Sequence, residues 1–116
     1  GINDRVELSR ADVIWRRRAC ERLMREGVTI RDPATCYLEV DVEIGRDADL
    51  GPMVTLGGRT VIGAGAVVGA GAVLQDCTVG DGAIIGAHAV LRRSDVPAGA
   101  RVEPLARLGS DHLTRE

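Results

Sequence analysis

The sequence predicts a mainly β chain: a parallel β-helix of hexapeptide repeats, about four coils long, preceded by one amphipathic α-helix. Three observations carry that expectation. An aliphatic residue recurs every six positions from Leu38, glycine follows it in most repeats, and an apolar spacing of three and four residues precedes the repeat. The elements follow in chain order.

Ser9 with Asp12 makes the pattern of a capping box, with a hydroxyl where the first free helical amides need an acceptor. Ala11, Ile14, Trp15, Ala19 and Leu23 then mark one helical face, and Gly27 is a natural stop. The helix is therefore expected over 9–27. Its polar face carries Arg10, Arg16, Arg17, Arg18, Arg22 and Arg25. A solvated face, or one docked on an acidic partner, is preferred to a nucleic-acid or membrane contact, because residues 39–49 hold Glu39, Asp41, Glu43, Asp47 and Asp49 against one arginine. The apolar face is expected to cover the open first coil, since solenoid ends must be capped. Residues 28–37, with Asp32-Pro33, read as a connector.

The repeat occupies 38–108. Leu38, Ile44, Leu50, Leu56, Ile62, Val68 and Leu74 stand six apart; after a five-residue step come Val79, Ile85 and Leu91, and after another Val96, Val102 and Leu108. All thirteen slots are Leu, Ile or Val. The next position is glycine in eight of them, and the slot four after the aliphatic is Val, Ala or Thr in eleven, broken by Asp95 and His112. Each aliphatic side chain fills the core from a short strand, glycine supplies the backbone freedom of a tight corner, and the small residue lets the chain turn. Three such faces close one coil. A flexible Gly/Ala/Val-rich segment would not hold one register across thirteen slots. Residues 109–116 form a tail.

Composition agrees. Lysine and phenylalanine are absent, with one Trp and one Tyr, so the core must be aliphatic. A net charge of −2 gives no reason to expect nucleic acid or a membrane surface as partner. No apolar run approaches the roughly 20 residues of a membrane span, and no signal peptide opens the chain. The first residue is Gly1 rather than methionine, as in a trimmed or processed product. Cys20, Cys36 and Cys77 lack metal-ligand spacing and read as reduced thiols of a cytoplasmic protein without a disulfide framework. Gly63-Ala-Gly65-x-x-x-Gly69 resembles a dinucleotide loop only loosely. The same string repeats in register six residues on, and the strand, helix and acidic residue of the true fingerprint are missing.

Gly1-Ile2-Asn3-Asp4-Arg5, Leu8-Ser9-Arg10-Ala11, Gly27-Val28-Thr29-Ile30-Arg31-Asp32-Pro33-Ala34 and Val42-Glu43-Ile44-Gly45 stand in an ordered set. That set resembles the bacterial bifunctional N-acetylglucosamine-1-phosphate uridyltransferase/glucosamine-1-phosphate acetyltransferase family, over nearly the whole chain up to about Leu108. The resemblance implies a left-handed β-helix that trimerises, with residues 1–8 the remnant of the end of a nucleotidyltransferase domain. It implies a parent enzyme that acetylates glucosamine-1-phosphate with acetyl-CoA, then uses UTP and magnesium to make UDP-N-acetylglucosamine for cell-wall precursors.

Within that family Asn3 matches the residue that helps hold Mg²⁺ and the sugar nucleotide, so it is a metal and substrate ligand only in a complete parent. Magnesium asks for about six oxygen ligands, and the partnering Asp, nucleotide loop and Lys would lie upstream. The family's acetyltransfer uses a His base with Arg, Lys, Tyr and Asn from later coils. Here there is no Lys, Asn3 is the only Asn and Tyr37 the only Tyr. Asp111-His112-Leu113-Thr114 resembles the family's His-Leu-Thr-Tyr, but Arg115 stands where Tyr belongs. His88 reads as a surface histidine on a corner. The expectation is a structural, trimer-forming segment with no catalytic residue of its own. The alternatives are an independent small acyltransferase using acetyl-CoA through His88 or His112, and a free-standing assembly module.

Overall fold

The computed structural model describes residues 4–109 of the 116-residue chain. Among the described residues, one helix, α1 (Arg5–Arg25), leads into fourteen short strands. The first seven are β1 (Thr29–Ile30), β2 (Tyr37–Leu38), β3 (Glu43–Ile44), β4 (Asp49–Leu50), β5 (Thr55–Gly57), β6 (Val61–Ile62) and β7 (Val67–Val68). The rest are β8 (Val73–Gln75), β9 (Thr78–Val79), β10 (Ile84–Ile85), β11 (Val90–Arg92), β12 (Asp95–Val96), β13 (Arg101–Val102) and β14 (Arg107–Leu108).

Every strand pairs in parallel with the one three places on, giving sheets β1-β4-β7-β10-β13, β2-β5-β8-β11-β14 and β3-β6-β9-β12. This is a three-faced β-helix, the architecture of the left-handed form implied by the resemblance. It has about five coils rather than four. The extra turn comes from the expected connector, where Thr29–Ile30 pairs with Asp49–Leu50 as a true strand. Just beyond β1, Arg31 clamps Asp49 through two bonds, Nε to Oδ1 at 2.9 Å and Nη2 to Oδ2 at 2.6 Å. The Arg31 hydrogen bond holds the Asp49 carboxyl below the usual carboxylate range.

All thirteen aliphatic slots fall on the second residue of a strand. They stack as continuous ladders, one running Leu38, Leu56, Leu74, Leu91, Leu108 and the others Leu50, Val68, Ile85, Val102 and Ile44, Ile62, Val79, Val96. Ile30 of β1 extends the second ladder downward. Full burial of such a side chain contributes roughly 1.5–3 kcal/mol. Eleven of the thirteen are buried; Ile44 is partly so, and Leu108, at the open end of its sheet, is 42% exposed.

The small slot is regular when counted two before the aliphatic instead of four after. Ala48, Val54, Thr60, Ala66, Ala72, Cys77, Ala83 and Ala89 all fill it with no exposed surface. Asp95 therefore does not break the pattern: the five-residue step moves it to an outward strand position, and Ser94 takes the slot. Both five-residue steps fall at the same corner, after β8 and β11. Pairing partners accordingly lie eighteen residues apart below it (Thr55 and Val73) and seventeen above (Val73 and Val90).

Glycine has two separate jobs, where one was expected. Directly after the aliphatic it is needed for space: a Cβ at Gly45 would stand 2.7 Å from the Ala64 nitrogen of the next coil. Gly109, directly after Leu108, combines the expected place with a φ of 69°. At most of the six-residue corners positive φ falls instead two residues later, at Gly65 and Gly71 and also at Asp47, Met53, His88 and Leu105, as a type II turn requires at its third position. The amides there tie the corners together along the axis, as Gly65 N donating to Arg46 O at 2.9 Å and His88 N to Ala70 O at 2.8 Å.

Among the described residues, Thr60 is the one buried polar side chain of the core. At the six-residue corners the small residue's amide donates back across the turn, as Ala66 N to Gly63 O at 3.2 Å. The five-residue corner removes that partner for Cys77 N, which donates instead to the Thr60 hydroxyl at 3.2 Å, while the hydroxyl donates to Gly57 O at 2.7 Å. Thr60→Val keeps the shape but orphans a buried amide, and should cost about 1–3 kcal/mol. Urea denaturation measures this, and an unchanged midpoint would sink the assignment.

The helix begins four residues before its expected start. Asp4, not Ser9, is the N-cap, its carboxylate accepting from Glu7 N at 2.9 Å. Nothing in Arg5–Leu8 breaks a helix, so the chain winds back to an earlier residue able to cap it. At the other end Gly27, at φ 100°, closes a Schellman motif: Gly27 N donates to Met24 O and Val28 N to Leu23 O.

Candidate functional site

Asn3, and the Asp111-His112 pair, lie outside the described residues. His88 sits exposed on a corner at φ 60°, its ring over Gly71 of the coil below. Tyr37 lies on β2, the first strand of its sheet. Among the described residues, the fold does not bring these two candidates together: Tyr37 is in the first coils and His88 on a corner further up the stack.

The site the fold does build is the junction of α1 with the first coil. The helix packs through Ala19, Cys20 and Leu23 against Val28, Ile30 and Cys36. Of the expected face, Ala19 and Leu23 are buried, whereas Ala11 and Ile14 are exposed and Trp15 is 39% exposed. The first half of the helix thus runs beyond the coil, and only its last turns cap the core. One turn before Cys20, Arg16 Nε meets Asp12 Oδ2 at 2.9 Å, its guanidinium lies 5.1 Å from the Tyr37 ring centroid, and Nη1 donates to Cys36 O at 3.5 Å. The helix ion pairs with acids are internal, Arg16–Asp12 and Arg22–Glu26, rather than with residues 39–49.

Cys20 and Cys36 are free thiols with no exposed surface, hydrogen-bonded to each other. The bond from Cys36 holds the Cys20 thiol below its ordinary value, helped by Arg16 and opposed by burial. Cys36 is pushed far up, first because its proton is kept in that bond and then by burial. Cys77 is pushed up mainly by burial. Sequence reasoning missed this pair. The signal was the spacing Arg16, Cys20, Leu23 on one helical stripe, obscured by the larger Ile14 and Trp15 on the neighbouring one.

Two shallow grooves border the junction and share Val40. One, of about 380 Å³, is lined by Asp12, Trp15, Tyr37, Leu38, Glu39 and Val40. The other, of about 410 Å³, is lined by Val40, Asp41, Val42, Glu43, Arg59 and Val61. The described residues do not fit the cofactors implied by the resemblance. They contain no group of three His, Cys, Asp or Glu able to hold a metal ion. Each groove presents two carboxylates against at most one arginine, which disfavours the phosphates of a coenzyme A. Among the described residues no helix is long and apolar enough to cross a membrane.

Comparison with known proteins places these features in a wider set. A family profile described as the GMPPB C-terminal domain matches residues 33–116, most of the chain. Bifunctional protein GlmU of Bifidobacterium longum (strain DJO10A) is 58% identical over 48 residues, 41% of this chain and 10% of that protein. Bifunctional protein GlmU of Exiguobacterium sp. is 62% identical over 47 residues, 40% of this chain and 10% of the relative. That of Thermobifida fusca is 52% identical over 48 residues, with 41% and 10% covered. The matched segment thus spans a tenth of the curated relatives' length, and the expected kinship with the bifunctional transferases is borne out.

Proposed function

From the premise that this chain belongs to the family of the GMPPB C-terminal domain, we propose that it is a structural, trimer-forming segment of a bifunctional transferase, without catalysis of its own. The parent activity is acetyl transfer to glucosamine-1-phosphate followed by uridyl transfer, giving UDP-N-acetylglucosamine in the cytoplasm. Magnesium and acetyl-CoA serve the parent's sites. Asn3 is a ligand for metal and sugar nucleotide only there.

The observation that supports this reading is the contrast between a well-built scaffold and a surface poor in convergent chemistry. The aliphatic ladders are continuous, while among the described residues His88 stands alone on its corner. Side-by-side association is supported by outward aliphatic rows on flat faces, such as Val67 beside Ile84 and Val73 beside Val90. Three copies around an axis would bury the same row from each.

Sedimentation equilibrium at micromolar concentration should return three times the 12.3 kDa chain mass, and incubation with acetyl-CoA and glucosamine-1-phosphate should give no saturable transfer. A strictly monomeric profile refutes the assembly role. Saturable transfer abolished by His88→Ala or His112→Ala replaces this reading with a small acyltransferase.

A further inference from the structure

We infer that Cys20 and Cys36 form an oxidisable dithiol, a modification site at which a disulfide oxidant of the glutathione class converts the two thiols into an intramolecular disulfide that ties α1 to the first coil. The two residues come from different elements, the last turns of the helix and the cap of the 3₁₀ turn Pro33–Thr35. Arg16 and Cys20 stand one turn apart on the same stripe of α1, and Arg16 bonds the carbonyl of Cys36, so the helix presents Cys20 to Cys36 within one buried cluster. Arg16 supplies the cation that a reactive thiolate needs: it lies one turn before Cys20 and reaches the carbonyl of Cys36. The third cysteine lacks this setting. Cys77 sits in a small slot inside the stack, its thiol donating to Gln75 O at 3.3 Å.

The chemistry balances as two exchanges. The Cys20 thiolate attacks one sulfur of glutathione disulfide and expels a glutathione thiolate, leaving a mixed disulfide on Cys20. Cys36 then loses its proton to solvent, and its thiolate attacks Cys20 Sγ and expels the second glutathione thiolate. The protein loses two electrons and two protons, and one glutathione disulfide becomes two glutathione thiols. Access to the buried pair needs only the helix to lift. Ala19, Cys20 and Leu23 are the buried residues of α1, and no sheet pairing involves the helix, so this opening is local and leaves the ladders intact.

The test uses the chain with Cys77→Ala, a substitution that places in the small slot the residue found at Ala66 and Ala83. The reduced, folded variant is equilibrated with glutathione disulfide and glutathione at neutral pH, quenched in acid, labelled with N-ethylmaleimide in denaturant and weighed intact. The expected product carries no maleimide and no glutathione, is lighter than the reduced chain by two hydrogens, and reverts with dithiothreitol. Arg16→Gln should slow its formation severalfold. The unmutated chain should give a Cys20–Cys36 linked peptide with Cys77 still labelled, which keeps the test valid if the variant folds poorly. Two maleimide adducts at the most oxidising ratio, a stable glutathione adduct on Cys20 alone, or crosslinks that include Cys77 would each overturn the proposal.

Discussion

Leu74→Ala will be among the most damaging single truncations in this chain, lowering its stability by about 2–5 kcal/mol in urea denaturation. Leu74 has no exposed surface and lies on the central strand of its sheet, with Leu56 below it and Leu91 above. The neighbours cannot collapse into the space, because each is held at its own height by the coil hydrogen bonds, for example Val73 N to Ala89 O at 2.9 Å. The void therefore persists, and its cost adds to the lost transfer energy. Leu108→Ala, at the open end of the same ladder, should cost only about 1 kcal/mol, since roughly half of that side chain's transfer term is unrealised. Equal losses at both positions would show that the ladder is not the unit of stability.

Gly69→Ala should cost about 3 kcal/mol, the upper part of the range for overpacking. The added carbon would sit 2.7 Å from the Ala87 nitrogen and 2.9 Å from both Ala87 Cα and the Gly86 carbonyl carbon. These are main-chain atoms of the next coil, fixed by Gly69 N donating to Ile85 O at 2.8 Å, so no flexible side chain can yield. Gly65→Ala is the matched comparison. Its new carbon meets no atom within 4 Å, and the residue pays only for a φ of +69°, about 1–2 kcal/mol. Thermal and urea melts of the two variants should rank in that order. A Gly65 variant as damaged as the Gly69 one would return both glycines to a purely conformational role.

Much of the fold was legible because the repeat is itself the geometry. A strand of two residues and a corner of four need one large apolar side chain per six positions, and every slot from Leu38 to Leu108 landed on its strand. The strand at Thr29–Ile30 was not legible. Seven residues, Pro33 among them, separate Ile30 from Leu38, and only pairing with Asp49–Leu50 gives it away. The glycines after the aliphatics were visible but their reason was not, because crowding by a residue eighteen or nineteen positions on leaves no local mark. The helix register failed in a similar way. Ile14 and Trp15 are the larger apolar residues, yet the face that packs is set by where Gly27 turns the chain, and this selects Ala19, Cys20 and Leu23. The thiol pair was hidden for the same reason, since Cys20 and Cys36 meet only once the helix has been folded back on the coil.

The near-constant offset between pairing partners has a last consequence. Each turn touches only the turn above and the turn below, so the molecule is a short one-dimensional lattice whose members are coupled through nearest neighbours. With about five turns, a break at the middle leaves two pieces that both fall below the roughly three units such arrays need to stand. A longer lattice could melt from one end and keep the remainder. This one has no room for a phase boundary, and it is cooperative because it is short.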